Sequence, residues 1–117
     1  MTQMLQAADE TEALEMLHTQ GLTDGLPVVI PTAERVDRLV LATGLQGAQV
    51  LGEMGPGGGA ATVEKIAISA VMAGCLPDHM PVVLAAINAI LQPEFDLTEM
   101  QATTHCTAPL IIVNGPA

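Results

Sequence analysis

Four residues with soft, titratable side chains stand in two short stretches: Cys75 and His79 in "GCLPDHMP", and His105 and Cys106 in "TTHCT". A thiolate can attack an electrophilic carbon or a disulfide, and an imidazole can take up or deliver the proton such a step moves. If the two stretches meet, Cys75, His79, His105 and Cys106 also offer a metal ion four ligands of the kind zinc takes. Their spacing is not that of paired C-x-x-C ribbons, and an adjacent His-Cys pair rarely reaches one ion through both side chains. Cys75 is therefore open between a reactive thiol and a small buried apolar residue, because free cysteine is among the most buried residue types. A following helix N-terminus would favour its thiolate, whereas Asp78 would oppose it. Cys106 reads more simply as packing or incidental. No cofactor is required, and a metal ion stays open.

A second constellation is "GEMGPGGGAATVEK", residues 52–65, which sets five glycines before a helix start and the only lysine, Lys65. Unpaired N–H groups at a helix N-terminus attract anions, and glycines such as Gly57, Gly58 and Gly59 let a ligand approach the backbone. A lysine in the first turn opposes the helix dipole unless an anion or Glu64 offsets it. The stretch lacks the Gly-Lys-Ser/Thr ending of a nucleotide loop. The plainer reading is a flexible loop with a surface lysine beside an acid. Asp24 and Asn114 suit turns, Glu53 suits a solvated position, and His18 lies on an acidic helix facing water.

These groups need elements to position them. "ADETEALEMLHTQG" (8–21) predicts a helix with Ala13, Leu14, Met16 and Leu17 inward and Gly21 as its stop. A turn at Asp24-Gly25 leads to an extended run between Pro27 and Pro31. Thr32 caps a helix closed by Gly44, with Val36, Leu39 and Val40 on one face. "AQVLGEM" is a strand candidate. Thr62 caps a helix that Gly74 closes and that is apolar nearly all round, hence buried. Asp78 caps another over roughly 79–91, and two extended runs follow at 100–105 and 109–113. The fold class is α/β in the sense of mixed α+β: one small domain, 1–117, with about four helices and three to four short strands. Residues 1–20 form an N-terminal helix with the character of a peripheral arm.

Half of the 117 residues are apolar, yet Phe95 is the one aromatic, so seven methionines and the aliphatics must fill the core. Mean hydropathy is +0.45. A chain this small has too much surface to hide all of that alone, which predicts a flank buried against another chain. "PLIIV" (109–113) reads as a strand that needs pairing inside this subunit or across a junction. Thirteen acids against three bases give a net charge of −10. That excludes nucleic acid, whose phosphates need Lys and Arg, and disfavours an anionic membrane. The longest apolar runs are too short to span a bilayer, and the acidic start does not resemble a signal peptide. Two cysteines without an export signal predict free thiols in the cytoplasm.

Taken together, "DGLPVVIPT" (24–32), "ATVEKIAISAVMAGC" (61–75), "PVVLAAI" (81–87) and "QATTH…APLIIVNGP" (101–116) resemble a bacterial family with a DGLPVxPPT-like opening. Its members occur near, or fused to, redox-type proteins with a U/C-G-S-C selenocysteine or cysteine motif. The likeness runs from about residue 20 to the end. Asp24, Glu64, Lys65, Cys75, Thr103, Thr104, His105 and Asn114 lie in the matching stretches, and relatives continue beyond "NGP". This chain carries Ile30 and Cys106 where proline is commoner, and it holds no G-S-C motif. The resemblance thus implies a thiol or selenol supplied by a partner polypeptide.

The expected function is a subunit of a hetero-oligomeric thiol-dependent enzyme, with lyase or thiol-redox chemistry on a small anionic metabolite. Lys65 and Gly57–Gly59 would hold the anion, with Thr103, Thr104 and Asn114 as further contacts, Cys75 as nucleophile or redox partner, and His105 moving the proton. The alternatives are a non-catalytic scaffold subunit and a Cys/His metal-binding module.

Overall fold

The structure is a computed structural model that describes residues 4–115. Three side-chain caps start its first three helices. Asp9 accepts from the N–H of Glu12 to open α1 (Glu10–Thr19), Thr32 from that of Arg35 to open α2 (Ala33–Thr43), and Thr62 from that of Lys65 to open α3 (Val63–Met72). Each cap satisfies a donor that the helix geometry leaves without an internal partner. Left-handed glycines stop all three: Gly21 (φ 67°) after α1, Gly44 (φ 67°) at the end of α2 and Gly74 (φ 79°) after α3.

Between α2 and α3 lies one antiparallel hairpin, β1 (Val50–Met54) and β2 (Gly59–Thr62), with Glu53 opposite Ala60 and Met54 opposite Gly59. Among the described residues these are the two strands, fewer than the three to four expected. The extended run before α2 joins no ladder because the Val29 N–H goes instead to the Met72 carbonyl at the end of α3 (3.2 Å). Residues 109–113 belong to no helix or strand. The run 100–105 is not extended: it is the end of α5 (Leu97–Gln101) and a bend. Asp78 does not cap a helix either. It sits inside a 3₁₀ turn, Pro77–His79, and α4 (Met80–Ile90) starts after it. A second 3₁₀ turn, Pro93–Phe95, leads to α5. The described residues thus form a small mixed α+β body of five α-helices and a two-stranded sheet.

The core gathers Val36 and Leu39 of α2, Ile66, Ala67, Ala70 and Val71 of α3, Ala61 of β2, and Met80 and Leu84 of α4. Met80 and Val63 are wholly buried. Without large aromatics, an unbranched thioether fills the centre. The hairpin is pressed onto the later helices through glycines. A Cβ on Gly52 would meet Leu91 at 3.1 Å, and one on Gly55 would overlap Thr98.

Two segments stand outside this core. α1 buries only Leu17. It is tied down by Arg35, whose guanidinium pairs with Glu10 (2.9 Å) and donates to the Ile30 carbonyl (2.9 Å). The other is 103–115, where Leu110, Ile111, Ile112 and Val113 are 57–83% exposed. The Cα radius of gyration is 15.2 Å, against about 13 Å for a close-packed chain of this length. Among the described residues no single helix is long and apolar enough to cross a membrane.

Candidate functional site

The glycine stretch is the tip of the hairpin and does not run directly into the helix. Gly57, Gly58 and Gly59 are exposed, with open space where a Cβ would point. β2, which begins at Gly59, then separates the tip from α3, whose first amide donors are already engaged. The Val63 N–H bonds the Gln49 carbonyl (3.0 Å), the Glu64 N–H the Gly47 carbonyl (2.9 Å), and the Lys65 N–H the Thr62 hydroxyl (3.2 Å). An anion at this terminus would have to displace them. Lys65 itself turns back along β2, its Nζ donating to the Ala60 carbonyl (3.3 Å). That bond lays the side chain along β2, with the residue exposed to solvent.

Cys75 owes its position to the end of α3. Its N–H reaches the Ala70 carbonyl and that of Gly74 reaches Val71, both at 2.8 Å. This is the paired closure a left-handed glycine permits, and it characteristically buries an apolar contact at the residue after the glycine. Cys75 is that residue. Its half-buried thiol packs against the hydrophobic core. The helix expected to favour its thiolate begins only at Met80, beyond the intervening turn. His79 holds that turn together. Its Nδ1 accepts from the Leu76 N–H (3.1 Å), which places the ring proton of the neutral form on Nε2.

Lys65 and Cys75 stand at opposite ends of α3. Seven residues of helix, 66–72, follow Lys65 before the chain turns to Cys75, a rise of about 10 Å. The Lys65 side chain reaches away from Cys75, towards Ala60. His105 lies in an exposed turn folded on itself, where its N–H bonds the Thr103 hydroxyl (3.3 Å) and Thr107 donates to the Met100 carbonyl (2.8 Å). Thr104, Cys106 and Asn114 are exposed beside it or just beyond. Among the described residues no three His, Cys, Asp or Glu are grouped to hold a metal ion. The four-ligand set Cys75, His79, His105 and Cys106 is therefore not assembled within this chain.

The structure holds two features that the sequence did not disclose. One is Arg35 as the tie between α1, α2 and the extended run; nothing in a separation of twenty-five residues marks Glu10 as its partner. The other is a groove of about 650 Å³ beneath α1, lined from α1, α2 and α3 and containing none of Lys65, Cys75 or His105. Its only advance signal is the surplus of apolar residues before and within α1. No protein-family model, curated protein or solved structure matches the chain.

Proposed function

We propose that this chain is a partner-dependent, accessory subunit: a folded body that presents residues 105–114 and one face of α4 to another polypeptide. The observation that carries this reading is an excess of surface. The accessible area is 8235 Å², against about 6,000 Å² for a folded monomer of 12.1 kDa. The surplus of roughly 2,200 Å² exceeds the about 800 Å² that a standard interface removes from each partner and is of the size that large obligate interfaces take from one chain. Much of it is apolar in the right places. Leu110 is 83% and Ile112 75% exposed on a segment that belongs to no helix or strand. On α4, Val82, Ala85 and Ala89 share a helical face turned to solvent. Pairing Leu110–Val113 as a strand against a sheet edge would satisfy the backbone and the side chains in one step. A second copy would bring another charge of −10 to the interface, so a neutral or basic partner is favoured.

A thiol-dependent enzyme subunit is the second reading, and one observation favours it. Cys106 is a free, exposed thiol next to His105, a few residues before Leu110. Docking of that segment would bring the thiol and imidazole against the partner surface, where the resemblance to a family linked with redox thiols sets the chemistry. A site of this kind would lie between chains, with Cys106 nearer to it than Cys75.

Native mass spectrometry of the untagged chain at its natural expression level tests the first reading. A stoichiometric complex is expected, with Leu110→Asp combined with Ile112→Asp returning the free 12.1 kDa chain. A wild-type chain recovered from its native lysate free of any other polypeptide, with the amides of 109–113 exchanging freely, would refute it. Cys106→Ser in the complex separates the two readings by activity, since an accessory role survives the change.

A further inference from the structure

Asn114 is followed by Gly115, directly after the apolar run 109–113. Asparagine is among the thermolabile side chains, and a following glycine leaves its side-chain amide open to attack from the main chain. We propose that Asn114 is a site of spontaneous, backbone-assisted deamidation that converts it to a mixture of aspartate and isoaspartate. The nucleophile is the main-chain nitrogen of Gly115, and the electrophile is Cγ of Asn114. A bond forms between them, the Cγ–Nδ2 bond breaks, and ammonia leaves with the proton that the Gly115 nitrogen gives up. Water then opens the resulting succinimide. Opening at Cγ gives aspartate, and opening at the main-chain carbonyl gives isoaspartate. Nothing is oxidised, and water is the sole co-reactant.

The tertiary structure singles out this position. Asn114 and Gly115 are exposed and belong to no helix or strand. Among the described residues no hydrogen bond holds the Asn114 side chain or the Gly115 N–H. Nothing lies within 4 Å of where a Cβ on Gly115 would point, so the approach to its nitrogen is open. The chain's other asparagine, Asn88, precedes Ala89 inside α4, where main-chain N–H groups are spent on the helix ladder and the backbone cannot turn to close the ring. Asp24 also precedes a glycine. There the Gly25 N–H donates to the Thr23 hydroxyl (3.3 Å) and the Asp24 carboxylate accepts from the Leu26 N–H (3.0 Å). An ionised carboxylate is in addition a poor electrophile. Deamidation at 114 adds a negative charge to a chain of net −10, and the isoaspartyl product lengthens the main chain by a methylene. On the reading that 105–114 docks a partner, a chain left unassembled is thereby altered where it would be recognised.

The chain alone is the sample, so the outcome does not depend on that reading. The full chain is aged in warm neutral buffer and digested, and its peptides are mapped by mass spectrometry with fragment ions that separate aspartate from isoaspartate. Conversion at Asn114 is expected to run at least about tenfold faster than at Asn88 or Asp24, whose main-chain nitrogens are engaged. Both products appear, with isoaspartate in excess, and the rate climbs with pH because the attacking nitrogen must lose its proton. Gly115→Ala slows the change about tenfold by placing a Cβ beside that nitrogen. The proposal is overturned if Asn114 persists in the native chain for as long as Asn88 does. Aspartate without isoaspartate also ends it, since that is direct hydrolysis of the side-chain amide. So does an undiminished rate in Gly115→Ala, which would leave the main-chain nitrogen no part in the step.

Discussion

Alanine placed in turn at Gly55, Gly57, Gly58 and Gly59 separates the structural role of the hairpin tip from a ligand-binding one. The four positions differ sharply. At Gly55 a Cβ would fall on the Thr98 hydroxyl and lie 2.9 Å from both Cα and Cβ of Thr98. The hydroxyl can rotate away, but the backbone of α5 cannot, so α5 must shift off the hairpin. Overpacking of this kind costs about 1–3 kcal/mol. Gly58 has open space but φ 66°, a left-handed conformation that costs an L-residue roughly 1–2 kcal/mol. Gly57 and Gly59 have neither obstacle, and alanine there stays within about 0.5 kcal/mol. The order of loss is thus Gly55→Ala at or above Gly58→Ala, then Gly57→Ala and Gly59→Ala near wild type. Urea denaturation monitored by circular dichroism measures it. In thermal melts Gly55→Ala should lower Tm by roughly 5–15 °C. Thr98→Ala in the same chain removes the hydroxyl but leaves the Cα and Cβ contacts, so it rescues only part of the loss. A neutral Gly55→Ala, or a Gly57→Ala as damaging as Gly55→Ala, would refute the packing argument. Loss of ligand binding in a fully stable Gly57→Ala would instead restore the glycines as a binding loop.

The remaining expectations are compact. Thiol titration of the native protein should modify Cys106 about tenfold or more faster than Cys75, because the latter is packed against the core; the reverse order would make Cys75 a reactive thiol after all. Arg35→Ala removes a charged hydrogen bond to the Ile30 carbonyl and the pair with Glu10, and should destabilise by about 1–2 kcal/mol in urea. Glu10→Ala should cost less than about 1 kcal/mol. Met80→Ala opens a cavity at a wholly buried position and should cost about 2–5 kcal/mol by the same measurement.

Local features were legible in the chain. Thr32 and Thr62 cap the helices expected of them, Gly21, Gly44 and Gly74 end theirs, and Asp24 bonds the Leu26 N–H in its turn (3.0 Å). The inward faces of α1 and α2 follow their apolar spacing. The chemistry was legible as residue types only. "GPGGGAAT" shows no strand propensity, so β2 was hidden in what looked like one loop, and with it the separation of the glycines from α3. Cys75 was ambiguous because a residue one place after a helix-ending glycine can serve either as a packed contact or as a reactive group.

The caps at Thr32 and Thr62, the glycine stops, the apolar faces of α1 and α2, the net charge and the greasy stretch 109–113 are determined by the sequence alone, because each depends on neighbours within a few residues or on simple counting. Which carbonyls consume the first amides of α3, where Arg35 finds its acid, and that the Lys65 side chain reaches away from Cys75 were decided by the tertiary structure. Those facts depend on distances between segments far apart in the chain, and only packing sets such distances.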